Sequence, residues 1–313
     1  MSRRVLISGS VAFDTIMVFD GHFKDHILPD RVHMINVAFL TPTLKREFGG
    51  CAANIAYNLR QLGGEPVILA AVGHDADAYV ERIHRMGIDT SHVARLADQY
   101  TAQAFITTDL ADNQIIAFHP GAMSHAHRVS AAQALPAAIG IVAPNGKEAM
   151  IQHAREFRDA GLPFVFDPGQ GLPMFDGSEL RSLIETATAV TVNDYESRML
   201  CERTGWSEAK IAQQIQALIV TLGGEGSQLW TASGCESIGV CRISEAIDPT
   251  GCGDAYRGGL LHGIAQGWSW SKAARLGSVL GAVKIERQGA QNHSFDLGEI
   301  ATRFSLAYGE RPW

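Results

Sequence analysis

Six short apolar runs, each continuous rather than alternating, constrain this chain more than any other feature. They are Val5-Leu6-Ile7 and residues 66–73, 140–144, 163–168, 189–193 and 217–223. A strand that is apolar at every position must be covered on both faces. Helical patterns fill the gaps. One over 147–160 stops at Gly161, one over 194–204 stops at Gly205, and Ser207 is an N-cap for a helix over 208–216. Strand and helix in alternation predict an α/β fold, with a mostly parallel central sheet between two helical layers. Ligands of such sheets sit beyond the carboxyl ends of the strands.

Two stretches break the alternation. Residues 15–48 and 99–120 are strand-like without long helices, and Asp112-Asn113 between the runs 101–108 and 114–119 reads as a hairpin turn. They predict a small β-sheet projecting from the core as a two-segment lid. No Pro/Ser linker, low-complexity tract or internal repeat divides the chain, so residues 1–313 are expected to form a single domain.

Composition narrows the function classes. A net charge of −7 argues against duplex nucleic acid as a partner. No run of about 18 apolar residues offers a membrane span, and the first ten residues read as a strand rather than a signal peptide. Cys51, Cys201, Cys235, Cys241 and Cys252 form no C-x-x-C pair, as expected for reduced thiols in a cytoplasmic protein. His125 and His127 lack a third metal ligand in register and read as surface residues.

Four motifs carry chemistry. In Asp248-Pro-Thr-Gly-Cys-Gly-Asp254, a Gly-x-Gly turn runs into a helix. Free backbone N–H groups at that helix start form an anion pocket, and Asp254 beside it reads as a candidate general base or as an ordinary N-terminal aspartate complementing the dipole. A carboxylate at a helix N-terminus is expected to be a weak base. Phe48-Gly-Gly-Cys-Ala-Ala-Asn54 opens a second helix, where Gly49-Gly50 permits close approach and Asn54 suits a polyol; taken alone it reads as a plain loop-to-helix turn. Asn193-Asp-Tyr-Glu196 follows a strand; it reads both as a capping box and as a site for hydrated Mg²⁺ at Glu196. Thr221-Leu-Gly-Gly-Glu-Gly226 suits a nucleotide phosphate or ribose through Thr221, Gly223 and Gly226, or is a plain turn. The run 140–148 misses a P-loop by one residue and lacks its Ser/Thr, and no G-x-G-x-x-G or G-x-S-x-G is present.

Together and in this order, the motifs resemble the PfkB, or ribokinase-like, carbohydrate and nucleoside kinases over nearly the whole chain. The chain is most similar to the bacterial adenosine and nucleoside kinases through Gly9-Ser10-Val-Ala-Phe-Asp14, residues 113–123 and Asp167-Pro-Gly-Gln170. The resemblance implies a three-layer α/β/α fold with a β-sheet lid and ATP-dependent phosphorylation of a purine nucleoside 5′-hydroxyl, adenosine first. It implies that Ser10, Asp14, Gly50 and Asn54 hold the ribose, that Phe118 packs on the base, and that Gln170 contacts it. Asp254 corresponds to the family base, and Gly251, Cys252 and Gly253 to its anion hole. ATP and Mg²⁺ are the implied cofactors, and K⁺ a further candidate where the Gly289-Ala-Gln291 loop completes the family's ion site. Ala38 and Ala104 stand where a small polar and an aromatic residue are expected, which implies a roomier pocket open to inosine or guanosine. A ribose or other sugar kinase of the same fold is the nearest alternative; a non-catalytic nucleoside-binding protein and an NAD-dependent oxidoreductase are more distant ones. The lid's open edges predict a homodimer formed through it.

Overall fold

All six apolar runs are strands of one sheet in the computed structural model, which describes residues 3–27, 36–111 and 113–313. In chain order the strands are β1 (Arg4–Ser8), β2 (Ala12–Val18), β3 (Thr43–Gly49), β4 (Glu65–Gly73), β5 (Val93–Leu96), β6 (Ala102–Thr108) and β7 (Gln114–His119). They continue with β8 (Ile139–Val142), β9 (Phe164–Phe166), β10 (Ala189–Asn193), β11 (Ala217–Thr221), β12 (Ser227–Thr231) and β13 (Gly234–Ile238). The helices are α1 (Cys51–Gln61), α2 (Asp77–Arg85), α3 (Lys147–Asp159), α4 (Gly177–Thr186) and α5 (Asp194–Thr204). After them come α6 (Glu208–Ala212), α7 (Cys252–Ala265), α8 (Trp270–Ile285) and α9 (Leu297–Tyr308).

The large sheet runs β13-β12-β11-β10-β9-β8-β1-β4-β5; only β12, second from one edge, runs against the others, pairing antiparallel with both β11 and β13. The central stretches of its inner strands are largely apolar because each face meets its own core. Along β4, Ile68, Ala70 and Val72 enter a core with Ile55 and Leu59 of α1 and Tyr79 of α2. Val67 and Leu69 enter the opposite core with Met150 and Phe157 of α3. A third cluster packs α7 and α8 on α9 through Ala255, Leu276, Leu280 and Phe304.

Helix α5 ends where Gly205 takes up the left-handed conformation, with φ at 70°. The Ser207 side chain caps α6, but that helix stops at Ala212 rather than at residue 216. The chain has to straighten there: Gln216 N already donates to Thr188 O, leading into β11.

The second sheet runs β3-β2-β6-β7, with β2 and β6 parallel and the outer pairs antiparallel. Of its expected turn pair, Asp112 lies outside the described residues, as do residues 28–35 of the first strand-like stretch. The turn between β6 and β7 is gathered by Asp109, whose Oδ1 accepts from Ala111 N and Asn113 N, both at 2.9 Å. Among the described residues no helix is long and apolar enough to cross a membrane.

Candidate active site

Two helix starts meet beyond the carboxyl end of β1. At α1, Ser10 Oγ accepts the Cys51 N–H at 3.0 Å and Ser10 O accepts the Ala52 N–H. Gly50 precedes that helix with φ at 92°, and a Cβ there would lie 2.6 Å from Ala12 N and Ser10 O. Only glycine fits such a backbone. At α7, Gly251 is the N-cap in the left-handed region, packed so closely on Ala290 that a Cβ would come within 2.8 Å. Of the expected trio Gly251, Cys252 and Gly253, the Cys252 N–H is already engaged, donating to Pro249 O at 3.1 Å; the N–H groups left open to an anion at this helix start are those of Gly253 and Asp254.

Glycines on α7 bring the two helices together. A Cβ on Gly258 would sit 2.8 Å from the Asn58 Cβ of α1, and one on Gly259 would sit 2.8 Å from Leu276 O of α8. This backbone-level packing sets Asn54 against Asp254: Asn54 Nδ2 donates to Asp254 Oδ2 at 2.8 Å. Asn54 Oδ1 accepts from Gln291 Nε2 at 2.8 Å, and Gln291 Oε1 accepts from Arg82 at 2.7 Å. Gln291 Nε2 also donates to Tyr79 Oη, which in turn donates to Gly49 O at 2.7 Å. Asp254 therefore ends a hydrogen-bonded chain that starts at Arg82.

Burial pushes the Asp254 carboxyl up to about 6, with Asp167 adding to the rise and Asn54 and Arg257 opposing it. The dipole argument alone predicts a weaker base; removal from water outweighs it. Asp14 is pushed up to about 6 as well, by burial and then by Glu47, its partner across β3. The Cys51 thiol is held well above its ordinary value by burial and by Asp254 and Asp167. All five cysteines are free.

Asp14 stands in a row across the small sheet, Glu47–Asp14–Ala104–Phe118, so the four side chains share one face. Phe118 is 51 % exposed. Ala104 leaves the place between it and Asp14 nearly empty of side chain, and Ala38 is exposed. Gln170 is exposed too, on the 3-10 turn that follows β9 and Asp167.

A second group lies along the same sheet edge. Asn193 and Thr221 are register partners at the ends of β10 and β11. Asn193 Oδ1 accepts the Glu196 N–H, and Glu196 Oε2 accepts the Asn193 N–H, both at 2.8 Å, so the capping box forms. Burial and Asp167 raise the Glu196 carboxyl. Gly223 opens the β11–β12 turn. Gly226 closes it, where a Cβ would strike Ile238 O at 2.2 Å; turn geometry alone demands glycine there.

Between the two groups lies a pair that the sequence motifs do not announce. Arg257, one turn along α7 from Asp254, makes a two-pronged bond to Asp167 at the end of β9, with Nη2 to Oδ1 at 2.8 Å. Its Nη1 donates to Gly253 O at 3.1 Å. Both residues are buried. Their charges act on Asp254 and on Glu196 alike. The available signal was an arginine inside a Gly- and Leu-rich helix and an aspartate closing an apolar strand. His125 and His127, read as surface residues, are half-buried on a 3-10 segment. Among the described residues no three His, Cys, Asp or Glu side chains gather as a metal site.

The arrangement can hold a hydroxyl at Asp254 next to an anion bound at the start of α7, with further polar groups at the ends of β10 and β11. The solved structure of a Burkholderia thailandensis nucleoside kinase in complex with inosine is 50% identical and superposes with a TM-score of 0.89, covering 98% of this chain and 99% of that one. The same kinase in an ADP-inosine complex gives 52% identity and a TM-score of 0.87, over 98% and 97% of the two chains. A nucleoside kinase of Methanothermobacter thermautotrophicus is 29% identical over 99% of this chain and 98% of its own. These agree with the expected fold. The sequence pattern of the pfkB family carbohydrate kinases matches residues 14–296, and the chain belongs to that family.

Proposed function

We propose that the protein transfers the γ-phosphoryl group of ATP to the 5′-hydroxyl of a purine nucleoside, adenosine and inosine among them. The Asn54–Asp254 hydrogen bond carries the reading, because it joins the polyol-suited helix start to the anion-binding one. Asp14 and Phe118 support a nucleoside over a free sugar. They lie two strands apart on one face, about 10 Å, which suits ribose hydroxyls at the carboxylate and a base on the ring. Ala104 between them supports tolerance of more than one purine.

In this mechanism Asp14 and Asn54 orient the ribose, and the small sheet acts as a lid that excludes water. Asp254 orients the 5′-hydroxyl and takes its proton as the oxygen forms its bond to phosphorus. The bond from that phosphorus to the β,γ-bridging oxygen breaks, and ADP leaves. The N–H groups at the start of α7 stabilise charge on the group in transfer. Thr221 and the Gly223–Gly226 turn flank the nucleotide. Glu196 Oε1 has no hydrogen-bond partner among the described residues, so the site fits Mg²⁺ held through water at this carboxylate. When bound, Mg²⁺ neutralises phosphate charge. K⁺ is not part of this reading, because the Lys284 ammonium fills the place expected for it. We place the enzyme in the cytoplasm, with its substrate and ATP.

An ADP-release assay with adenosine, inosine, guanosine, ribose and fructose 6-phosphate tests the proposal. Turnover on nucleosides supports it; turnover on sugars alone refutes the nucleoside assignment and leaves the Asp254 chemistry standing. Loss of one stacked base contact is worth about 1–3 kcal/mol. Phe118→Ala is therefore expected to raise the nucleoside KM about tenfold with kcat little changed; an unchanged KM contradicts the stacking role. The acid limb of kcat/KM is expected near pH 6, because Asp254 must be ionised and is raised to about 6. Activity is lost as pH falls through that value, and a limb at pH 4 contradicts the assignment. The edges β3 and β7 support pairing of two lids in a homodimer; light scattering that reads a monomer at micromolar concentration contradicts it.

A further inference from the structure

Lys284, in the last turn of α8, is a fully buried cation, at 0 % exposure. Its Nζ donates to two backbone carbonyls, Asp248 O at 2.7 Å and Arg287 O at 3.0 Å. No salt bridge ties it to a carboxylate among the described residues. The Asp248 carboxylate is itself engaged by backbone and amide donors: Thr250 N at 2.8 Å, Gly289 N at 2.7 Å and Gln288 Nε2 at 3.1 Å. An ammonium held by two carbonyl oxygens, beside a carboxylate that closes the loop, has the donor chemistry of a monovalent-cation site. Here the cation is covalently attached.

The two carbonyls belong to segments that frame the base. Asp248 leads through Pro249 and Thr250 to Gly251, the N-cap of α7. Arg287 leads to Gly289-Ala290-Gln291, where Ala290 packs on Gly251 and Gln291 holds Asn54 against Asp254. K⁺ expected at this loop does not fit a place already filled by an ammonium. We infer that Lys284 is a positioning residue that replaces a bound monovalent cation, so that the frame around Asp254 is complete without K⁺.

The inference rests on the kinase reading only for its activity arm, and thermal unfolding supplies an independent one. Wild-type turnover and melting temperature are expected to be the same in K⁺, Na⁺ and tetramethylammonium at equal ionic strength. Lys284→Met keeps the apolar stem, is one atom shorter, leaves Arg287 O unpaired and leaves Asp248 O with only the weak Cys252 thiol donor at 3.8 Å. Such loss is expected to lower kcat about tenfold or more and to lower the melting temperature. NH₄⁺ or K⁺, which fit the vacated place, restore a part of both, and tetramethylammonium restores neither. A wild-type enzyme that stalls or loses thermal stability without K⁺ overturns the inference. So does a folded Lys284→Met variant indifferent to NH₄⁺ and K⁺ in both readouts. Should that variant fail to fold, the wild-type cation series still decides. If no nucleoside is turned over, the kinase reading has failed, while the melting-temperature series continues to test Lys284.

Discussion

Asp254→Asn is expected to lower kcat by about 10²- to 10⁴-fold, the usual contribution of a positioned base. The substitution is nearly isosteric. Its amide oxygen can still accept from Asn54 Nδ2, so α1 and α7 keep their contact. The nucleoside KM is accordingly expected to move little, because the clamp at Asp14 and Phe118 is untouched. Stability moves the other way. A carboxyl raised to about 6 in the folded state is ionised at a cost when the pH is higher. Between its ordinary value and about 6 that group's contribution falls as pH rises, so at pH 7 the neutral asparagine removes a penalty. Steady-state kinetics and a thermal melt on one preparation read both effects. Near-full kcat refutes the role of Asp254. A large fall in melting temperature means that a collapsed site, not a missing base, explains any loss.

The second large effect is at Asp167. Its two-pronged bond to Arg257 is buried, with side-chain exposures of 7 % and 3 % for arginine and aspartate. Removing one partner leaves an uncompensated charge in a low-dielectric place, at a cost of about 3–5 kcal/mol. For a chain of this size that is a fall of about 10 °C in melting temperature. Asp167→Asn is expected to show it. Replacing both partners at once, as Asp167→Leu with Arg257→Met, is expected to recover most of the stability, since an apolar pair replaces buried ions with little net loss. Activity does not recover, because Arg257 also holds Gly253 O and opposes the rise at Asp254. A single variant that melts within a degree or two of the wild type contradicts this account of the pair.

The strands were legible because burial on both faces leaves no polar position, as Val5 to Ile7 and β4 show. Asp254, Gly251 and the capping box at Asn193 were legible because each sits at a helix start, where local chemistry is written in consecutive residues. The ion pair was not, since Arg257 and Asp167 are 90 residues apart and meet only once β9 and α7 are placed. Gln291 was noticed as part of a loop, yet its hydrogen bond to Asn54 spans 237 residues. The rise at Asp254 was hidden for a related reason. A helix dipole is local and can be read from sequence, whereas desolvation comes from everything packed around the group. The early end of α6 reflects register too: Gln216 is already committed to Thr188 before β11 begins.

Phosphorus NMR on a reaction of the wild-type protein with Mg-ATP and adenosine or inosine tests the central claim most directly. The account predicts ADP and a nucleoside 5′-monophosphate formed in equal amounts. ADP with inorganic phosphate and no new monoester, or a monoester formed only when a free sugar is supplied, would contradict it.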